Sequence, residues 1–112
     1  MDKRILFIES YLLENLQKKI SLEEIANLVN VSPIYLRQLF KAETNQTITK
    51  YTLKLRLEKS KELLKTTFLR VKEIRVLVGL RNQSKFTQYF KEEYEMTPSE
   101  CQDLHNNQPK GE

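Results

Sequence analysis

Residues 22–41, LEEIANLVNVSPIYLRQLFK, recur in similar form as VKEIRVLVGLRNQSKFTQYFK, residues 71–91. The pair Glu24-Ile25 returns 49 positions later as Glu73-Ile74, and beyond the turn the offset becomes 50. In each copy a short helical pattern, a turn and a longer helical pattern follow one another, which is typical of a helix-turn-helix. The chain is therefore expected to contain this unit twice, and a duplicated unit in a small basic protein indicates contact with DNA at two places.

The composition favours a small helical protein. The chain has 112 residues, which suffice for one domain or for two half-domains that share a helix. Only 2 Gly and 3 Pro occur, which argues against a turn-rich β architecture. No apolar run reaches the roughly 18 residues that span a bilayer, and the N-terminus lacks a secretory signal, so we expect no membrane contact and a cytoplasmic location. The net charge of +4 suits contact with phosphates but by itself decides little.

Periodicity and capping residues divide the chain into seven helices. Ser21 forms a capping-box pattern with Glu24, and Ser32-Pro33 supplies a cap and a proline at the first helical position. The expected helices cover residues 4–19, 22–29, 33–44, 47–65, 71–78, about 82–93 and a short stretch after Thr97-Pro98. The polar tail, residues 105–112, is expected to be disordered.

The central helix is the longest of the seven. Residues 47–65 contain neither Gly nor Pro, and one face is marked by Ile48, Tyr51, Leu55 and Leu63. At ~1.5 Å per residue this helix would form a rod of about 28 Å. We therefore predict an all-α fold in which this helix joins two helix-turn-helix units and holds them at a fixed distance.

Several sequence fragments, in this order, resemble the DNA-binding domain of the AraC/XylS family of bacterial transcription regulators. The resemblance covers about residues 5–101 and rests on SLEEIA (21–26), SPIYLRQLFK (32–41), Tyr51 with Arg56-Leu57, Glu73-Ile74 with Val78-Gly79, Phe90-Lys91 and MTPS (96–99). It implies a domain over residues 1–104, with helix-turn-helix units at about 22–44 and 71–93 and a linker helix at about 47–65. It also implies that the second helix of each unit enters a major groove, usually on a promoter.

Some positions depart from the pattern of the family. Arg75 stands where the family, like Ala26 in the first copy, has a small residue between packed helices. Its side chain must therefore extend to solvent or push the helices apart. Asn45 and Glu95 follow helix ends where the family often has Gly, and a left-handed Glu costs on the order of 1–2 kcal/mol. These departures predict looser packing in the second half.

The outer face of the third helix carries the first set of candidate DNA contacts. The residues expected to face inward are Leu39, Phe40 and one of Tyr35 and Leu36. The outer face then comprises Ile34, Arg37, Gln38 and Lys41. Arginine suits guanine, glutamine suits adenine, and an apolar side chain can touch a thymine methyl. By resemblance, the first three also match base-contacting positions of the family, where Gln38 replaces a common Arg.

The sixth helix carries a second, amide-rich set. Phe86, Tyr89 and Phe90 are expected in the core, and the outward polar residues are Asn82, Gln83, Ser84, Lys85, Thr87 and Gln88. By resemblance, Gln83, Ser84, Thr87 and Gln88 match base or backbone contacts. Amide side chains favour A·T-containing sequence. Ser32 and Asn82, which precede helices, are candidate phosphate anchors.

Double-stranded DNA is thus the expected partner, and RNA polymerase is a further candidate. If the linker helix spaces the units by about 34 Å, a monomer covers about 20 base pairs without a palindrome. The family usually joins this domain to a separate ligand-binding or dimerisation domain, for which 112 residues leave no room, so the resemblance implies that a dimer would form through a domain missing here. The chain is then either a stand-alone regulator or a fragment of a longer one.

Two other functions remain open: an architectural binder with little sequence preference, and a protein-interaction module that has lost DNA binding. Enzymatic activity is not expected, because no carboxylate has a partner base or nucleophile. His105 lies without other ligands at metal-binding spacing, and Cys101 has the character of a buried apolar residue. We therefore expect neither a metal nor a cofactor.

Overall fold

The computed structural model describes residues 1–106, which form seven helices and no strand. The helices are α1 (Lys3–Glu14), α2 (Leu22–Leu28), α3 (Pro33–Thr44), α4 (Ile48–Thr66), α5 (Val71–Leu77), α6 (Gln83–Tyr94) and α7 (Pro98–Asn106). The all-α, seven-helix prediction is confirmed. The chain divides into two compact units, of which unit 1 is Met1–Leu55 and unit 2 begins at Arg56. Helix α4 contributes residues to both.

The core of unit 1 is built by α1, α2 and α3. It contains Ile5, Ile8, Leu12, Ile25, Ala26, Leu36 and Phe40, all at most 1% exposed. The Phe40 ring meets the Tyr51 ring edge-on, with centroids 5.3 Å apart. The α4 residues Ile48, Tyr51 and Leu55 pack against this cluster, in agreement with the face predicted for the central helix. Burial of these side chains is what fixes α3 on α1 and α2.

Unit 2 has an equally enclosed core. Its buried apolar side chains are Leu57, Leu64, Ile74, Val78, Phe86, Phe90 and Cys101, at most 4% exposed. On α4 the predicted Leu63 is only half-buried, whereas Ser60 is fully buried. The Ser60 hydroxyl donates to the Leu57 carbonyl at 2.7 Å, which satisfies the polar group inside the core. The looser packing predicted for this half does not appear in the burial of these side chains.

Helix α1 ends at Glu14, whereas the sequence predicted residue 19. The cause is Asn15, whose side-chain amide donates to the Tyr11 carbonyl at 2.8 Å. That carbonyl would otherwise accept the Asn15 backbone N–H, which bonds instead to the Leu12 carbonyl at 3.2 Å. Asparagine side chains compete with helical hydrogen bonds in this way. The prediction of a longer first helix was therefore wrong.

The turns of the two helix-turn-helix units have matching backbone hydrogen bonds. The Val31 N–H donates to the Ala26 carbonyl in unit 1, and the Leu80 N–H donates to the Arg75 carbonyl in unit 2, both at 3.0 Å. Each turn also needs one left-handed residue, which is Asn30 (φ 59°) or Gly79 (φ 80°). The duplication seen in the sequence therefore reaches the backbone of the turns.

The capping box predicted at the start of α2 is only half formed. The Ser21 hydroxyl accepts from the Glu24 N–H at 3.1 Å, as expected. The Glu24 carboxylate does not return to Ser21 but accepts from the Tyr11 hydroxyl and lies 3.3 Å from the Lys18 ammonium. In unit 2 the other half is present, because the Arg70 N–H donates to the Glu73 carboxylate at 3.0 Å.

Helix α7 continues through Asn106, two residues into the tail that the sequence predicts to be disordered. The His105 ring nitrogen Nδ1 lies 2.9 Å from the Cys101 carbonyl, which extends hydrogen bonding along the helix end. The rest of the predicted tail, 107–112, lies outside the described residues. Among the described helices, none combines the length and the apolar character that crossing a bilayer requires.

Candidate nucleic-acid interface

The sequence-predicted residues of α3 lie on one exposed face. Ile34 is 71% exposed, and Arg37, Gln38 and Lys41 are exposed as well. Their spacing of three, four and seven residues places them on one side of a helix. The opposite side holds Leu36 and Phe40, both fully buried. Helix α3 therefore presents an apolar tip and a polar stripe with two cations.

The sequence left open whether Tyr35 or Leu36 faces inward. In the structure Leu36 is buried, whereas Tyr35 is 45% exposed. Arg4 of α1 lies over the Tyr35 ring, with its guanidinium carbon 5.6 Å from the ring centroid. Asp2 holds the same guanidinium at 2.8 Å, and this hydrogen bond lowers the pKa of Asp2 to about 2. A stacked arginine thus lies beside the start of α3. Arg4 was not predicted as part of the site, because nothing in its local sequence pattern indicates this long-range contact.

The predicted residues of α6 are also on the surface. Asn82, Gln83, Ser84, Lys85 and Gln88 are exposed, and Thr87 is half-buried. Phe86 and Phe90 are buried as predicted, whereas Tyr89 is only half-buried. The Gln88 amide lies 3.4 Å from the Glu92 carboxylate one turn later. These predicted residues are mostly hydroxyls and amides with one cation, Lys85, and the exposed Lys91, equivalent to Lys41 of α3, adds a second cation at the far end of α6.

The two caps that were predicted as phosphate anchors are engaged with their own helices. The Ser32 hydroxyl accepts from the Tyr35 N–H at 3.1 Å, and the Asn82 side-chain oxygen accepts from the Lys85 N–H at 2.9 Å. Each side chain keeps donor hydrogens that a phosphate could accept. Pro33 removes one backbone donor from the first turn of α3, so α6 has more free N–H groups at its start.

Two alternatives were predicted for the long side chain of Arg75: extension to solvent or separation of the packed helices. Its Nη1 donates to the carbonyl of Leu80 at 3.1 Å and to the carbonyl of Arg81. The side chain therefore extends along the turn between α5 and α6. It satisfies carbonyl groups of the turn, and in this way it fixes the start of α6 relative to α5.

A helix-turn-helix domain family matches residues 25–103 of the chain. A transcriptional regulator from Chromobacterium violaceum with an AraC-type DNA-binding domain has the same fold, with a TM-score of 0.85. It is 25% identical, and the match covers 96% of each chain. The chain belongs to the AraC/XylS-type helix-turn-helix family. It is thus a DNA-binding domain homologous to AraC-family transcriptional regulators.

Two further proteins are similar to the chain. The transcriptional regulator GbdR of Pseudomonas aeruginosa is 33% identical over 98 residues, which are 88% of this chain and 26% of GbdR. The DNA-binding domain of the transcriptional factor AdpA, solved with a target DNA, has a TM-score of 0.85 and covers 92% and 93% of the two chains. At 17% identity it supports the fold alone. The chain spans 40% or less of the curated relatives that it matches first.

AraC/XylS-type domains are not enzymes, and this agrees with the prediction from the sequence. In the part of the chain that the structure describes, His, Cys, Asp and Glu nowhere gather in a group of three or more that could hold a metal. Cys101 is 1% exposed, and burial raises the pKa of its thiol. It therefore acts as a small apolar core residue, as predicted.

Proposed function

We propose that the chain binds double-stranded DNA sequence-specifically by placing α3 and α6, its two recognition helices, in major-groove segments of one duplex. The observation that carries this proposal is the division of each helix into two sides. Phenylalanine and leucine fasten the inner side to the unit, while amides, hydroxyls and cations remain exposed on the outer side. Membership of the AraC/XylS-type family supports the same function.

On α3 we assign one chemical role to each outward residue. Arg37 donates two hydrogen bonds to a guanine, Gln38 pairs with an adenine, and Ile34 contacts a thymine methyl. Lys41 lies one turn further along the same face, where an ammonium can approach a phosphate. Each good bidentate contact should contribute roughly 1–3 kcal/mol of base discrimination.

On α6 the amide-bearing residues should select A·T-containing sequence. The outward set is Asn82, Gln83, Ser84, Lys85, Thr87 and Gln88. Glutamine and asparagine match the donor and acceptor of adenine in the major groove. Ser32 and Asn82 complete the interface in this proposal, because their remaining donors lie at helix starts, where phosphates bind.

In the cell, such a domain would act as the DNA-binding part of a transcription regulator at promoters, and RNA polymerase is a candidate partner. One copy of the chain suffices for DNA binding in this proposal, because it carries two recognition helices.

Selection of bound duplexes from a random DNA pool tests the proposal, followed by gel shifts of selected and random duplexes at two salt concentrations. A sequence-specific regulator should bind the selected duplex at least about 10³-fold more tightly than random DNA. Equal affinity for both, with steep loss in salt, would instead identify an architectural binder. If no duplex is enriched or bound, the chain is a protein-interaction module and the proposal fails.

A further inference from the structure

We propose that a groove beside α6 holds the DNA phosphate backbone, with Lys72 and Arg75 of α5 as the phosphate-binding residues. This inference rests on the proposed function, because it assumes that α6 lies in a major groove. It adds two residues to the interface that neither the sequence pattern nor the outer face of α6 had indicated.

The groove lies entirely within unit 2 and has a volume of about 540 Å³. It is formed by α5, the first half of α6 and the start of α7, and its lining residues are Val71, Lys72, Arg75, Gln83, Phe86, Thr87, Thr97, Pro98 and Ser99. Gln83 and Thr87 belong to both the groove and the candidate DNA face of α6. The groove is therefore continuous with that face.

The charge of the groove favours an anion. Lys72 and Arg75 are three residues apart, which places them on the same side of α5. None of the described lining residues is acidic. Among the described residues, no side-chain hydrogen bond or ion pair engages the Lys72 ammonium. The carboxylate next to the lining residues, Glu100, accepts from the Thr97 N–H at 2.8 Å and is thus engaged in capping α7.

Arg75 is held in a geometry that suits phosphate. The Leu80 and Arg81 carbonyls occupy Nη1, which carries two hydrogens. Nε and Nη2 retain three donors, and a guanidinium presents them in the fork that phosphate oxygens accept. Because the turn already fixes the side chain, binding would cost little additional rotamer entropy.

The first repeat provides an internal comparison. The position equivalent to Lys72 holds Glu23, and the position equivalent to Arg75 holds Ala26. The duplication therefore places two cations in unit 2 where unit 1 has one anion and a methyl group. On the recognition helices, the position of Arg37 in α3 is held by Thr87 in α6, whereas Lys41 is matched by the exposed Lys91. Phosphate binding in the groove would offset the absence of this arginine from α6.

The occupant that fits best is the sugar-phosphate backbone. When a helix lies in the major groove, the two phosphate rows pass along its sides. The groove lies along one side of α6, next to residues proposed to contact bases. A row of phosphates would therefore match both the charge and the position of the groove, whereas a separate small anion would match only the charge of the groove.

The test uses the 112-residue chain and a duplex selected from a random pool, with affinity measured between 50 and 200 mM salt. Lys72→Ala should weaken binding roughly tenfold at low salt, equally for selected and random duplexes. It should also reduce the slope of log K against log salt by about 0.9, as expected for one lost phosphate contact. Lys59→Ala is the matched control, because it removes one cation of unit 2 outside the groove, where Lys59 pairs with Glu62 at 3.4 Å.

The role of Arg75 is tested with lysine as well as alanine, because Arg75→Ala would also remove the hydrogen bonds to the Leu80 and Arg81 carbonyls of the turn. Arg75→Lys keeps one positive charge but loses the fork, so it should retain most of the salt slope and lose part of the affinity. If Lys72→Ala and Lys59→Ala have equal effects, the inference is overturned while the proposed function stands. If the unaltered chain binds no duplex, the proposed function itself has failed. Weakening confined to the selected duplex would also contradict phosphate binding and assign Lys72 to base contact.

Discussion

Arg37 is the residue whose loss should affect base selection most directly. Its side chain is exposed on α3, one turn after Ile34 and beside Gln38. Arg37→Ala should weaken binding to the selected duplex by roughly 1–3 kcal/mol and relax preference at one base pair. Repeated selection with the variant measures this effect. An unchanged preference at every base pair would remove Arg37 from the base-contacting set.

Glu95 occupies a backbone conformation that suits glycine. It ends α6 at φ 60°, and Asn45 ends α3 at φ 62°. Asparagine tolerates the left-handed region better than glutamate does. Glu95→Gly should therefore raise the free energy of unfolding by about 1 kcal/mol, measured by urea denaturation. Asn45→Gly is the matched control and should gain less; equal gains would show that the residue type at these ends is unimportant.

At the scale of the elements, replacing the residues that cap α2 and α3 should distinguish effects on stability from effects on DNA affinity. The Ser21 and Ser32 hydroxyls each accept a backbone N–H at 3.1 Å, at the starts of α2 and α3. Replacing either by alanine should cost about 1 kcal/mol of stability. Only Ser32→Ala should also weaken DNA binding, because only Ser32 is a proposed phosphate anchor. Thermal unfolding and gel shifts on both variants measure the two effects; an equal loss of affinity would refute that role of Ser32.

The sequence predicted the elements well wherever local chemistry decides them. The seven helices, the left-handed Asn30 and the exposed polar faces of α3 and α6 follow from capping, turn chemistry and periodicity. The failures occurred where a side chain bonds outside its pattern. Asn15 ended α1 early by binding the Tyr11 carbonyl, and Arg4 reached Tyr35 on another helix. Helical periodicity does not predict such competing or long-range contacts.

The candidate site was predictable only in part. Outward positions on α3 and α6 follow once the inward residues are known, and all those predicted are exposed except the half-buried Thr87. Their contacts with DNA stay a prediction. The groove residues Lys72 and Arg75 were not predicted as part of the site, because the groove forms only when α5, α6 and α7 pack together. The contrast with Glu23 and Ala26 in the first repeat could have indicated it.

For the whole molecule, α4 is the element on which joint binding of both units should depend. It is one continuous helix, Ile48–Thr66, and the units divide between Leu55 and Arg56. Inserting one alanine there would turn one unit by about 100° and shift it by ~1.5 Å while leaving both cores intact. We expect affinity for the selected duplex to fall at least tenfold with little change in the unfolding midpoint. Unchanged affinity would mean that the units bind independently.

The most direct measurement is chemical footprinting of the selected duplex, with interference by removal of single bases to locate base contacts at A·T and G·C pairs alike. If α3 and α6 both enter the groove, protection should cover about 20 base pairs and interference should fall in two segments about one helical turn apart. Arg37→Ala should lose the interference at one base pair of the first segment, and Gln88→Ala should weaken it at one base pair of the second. A single protected segment that only one of these variants affects would contradict the account.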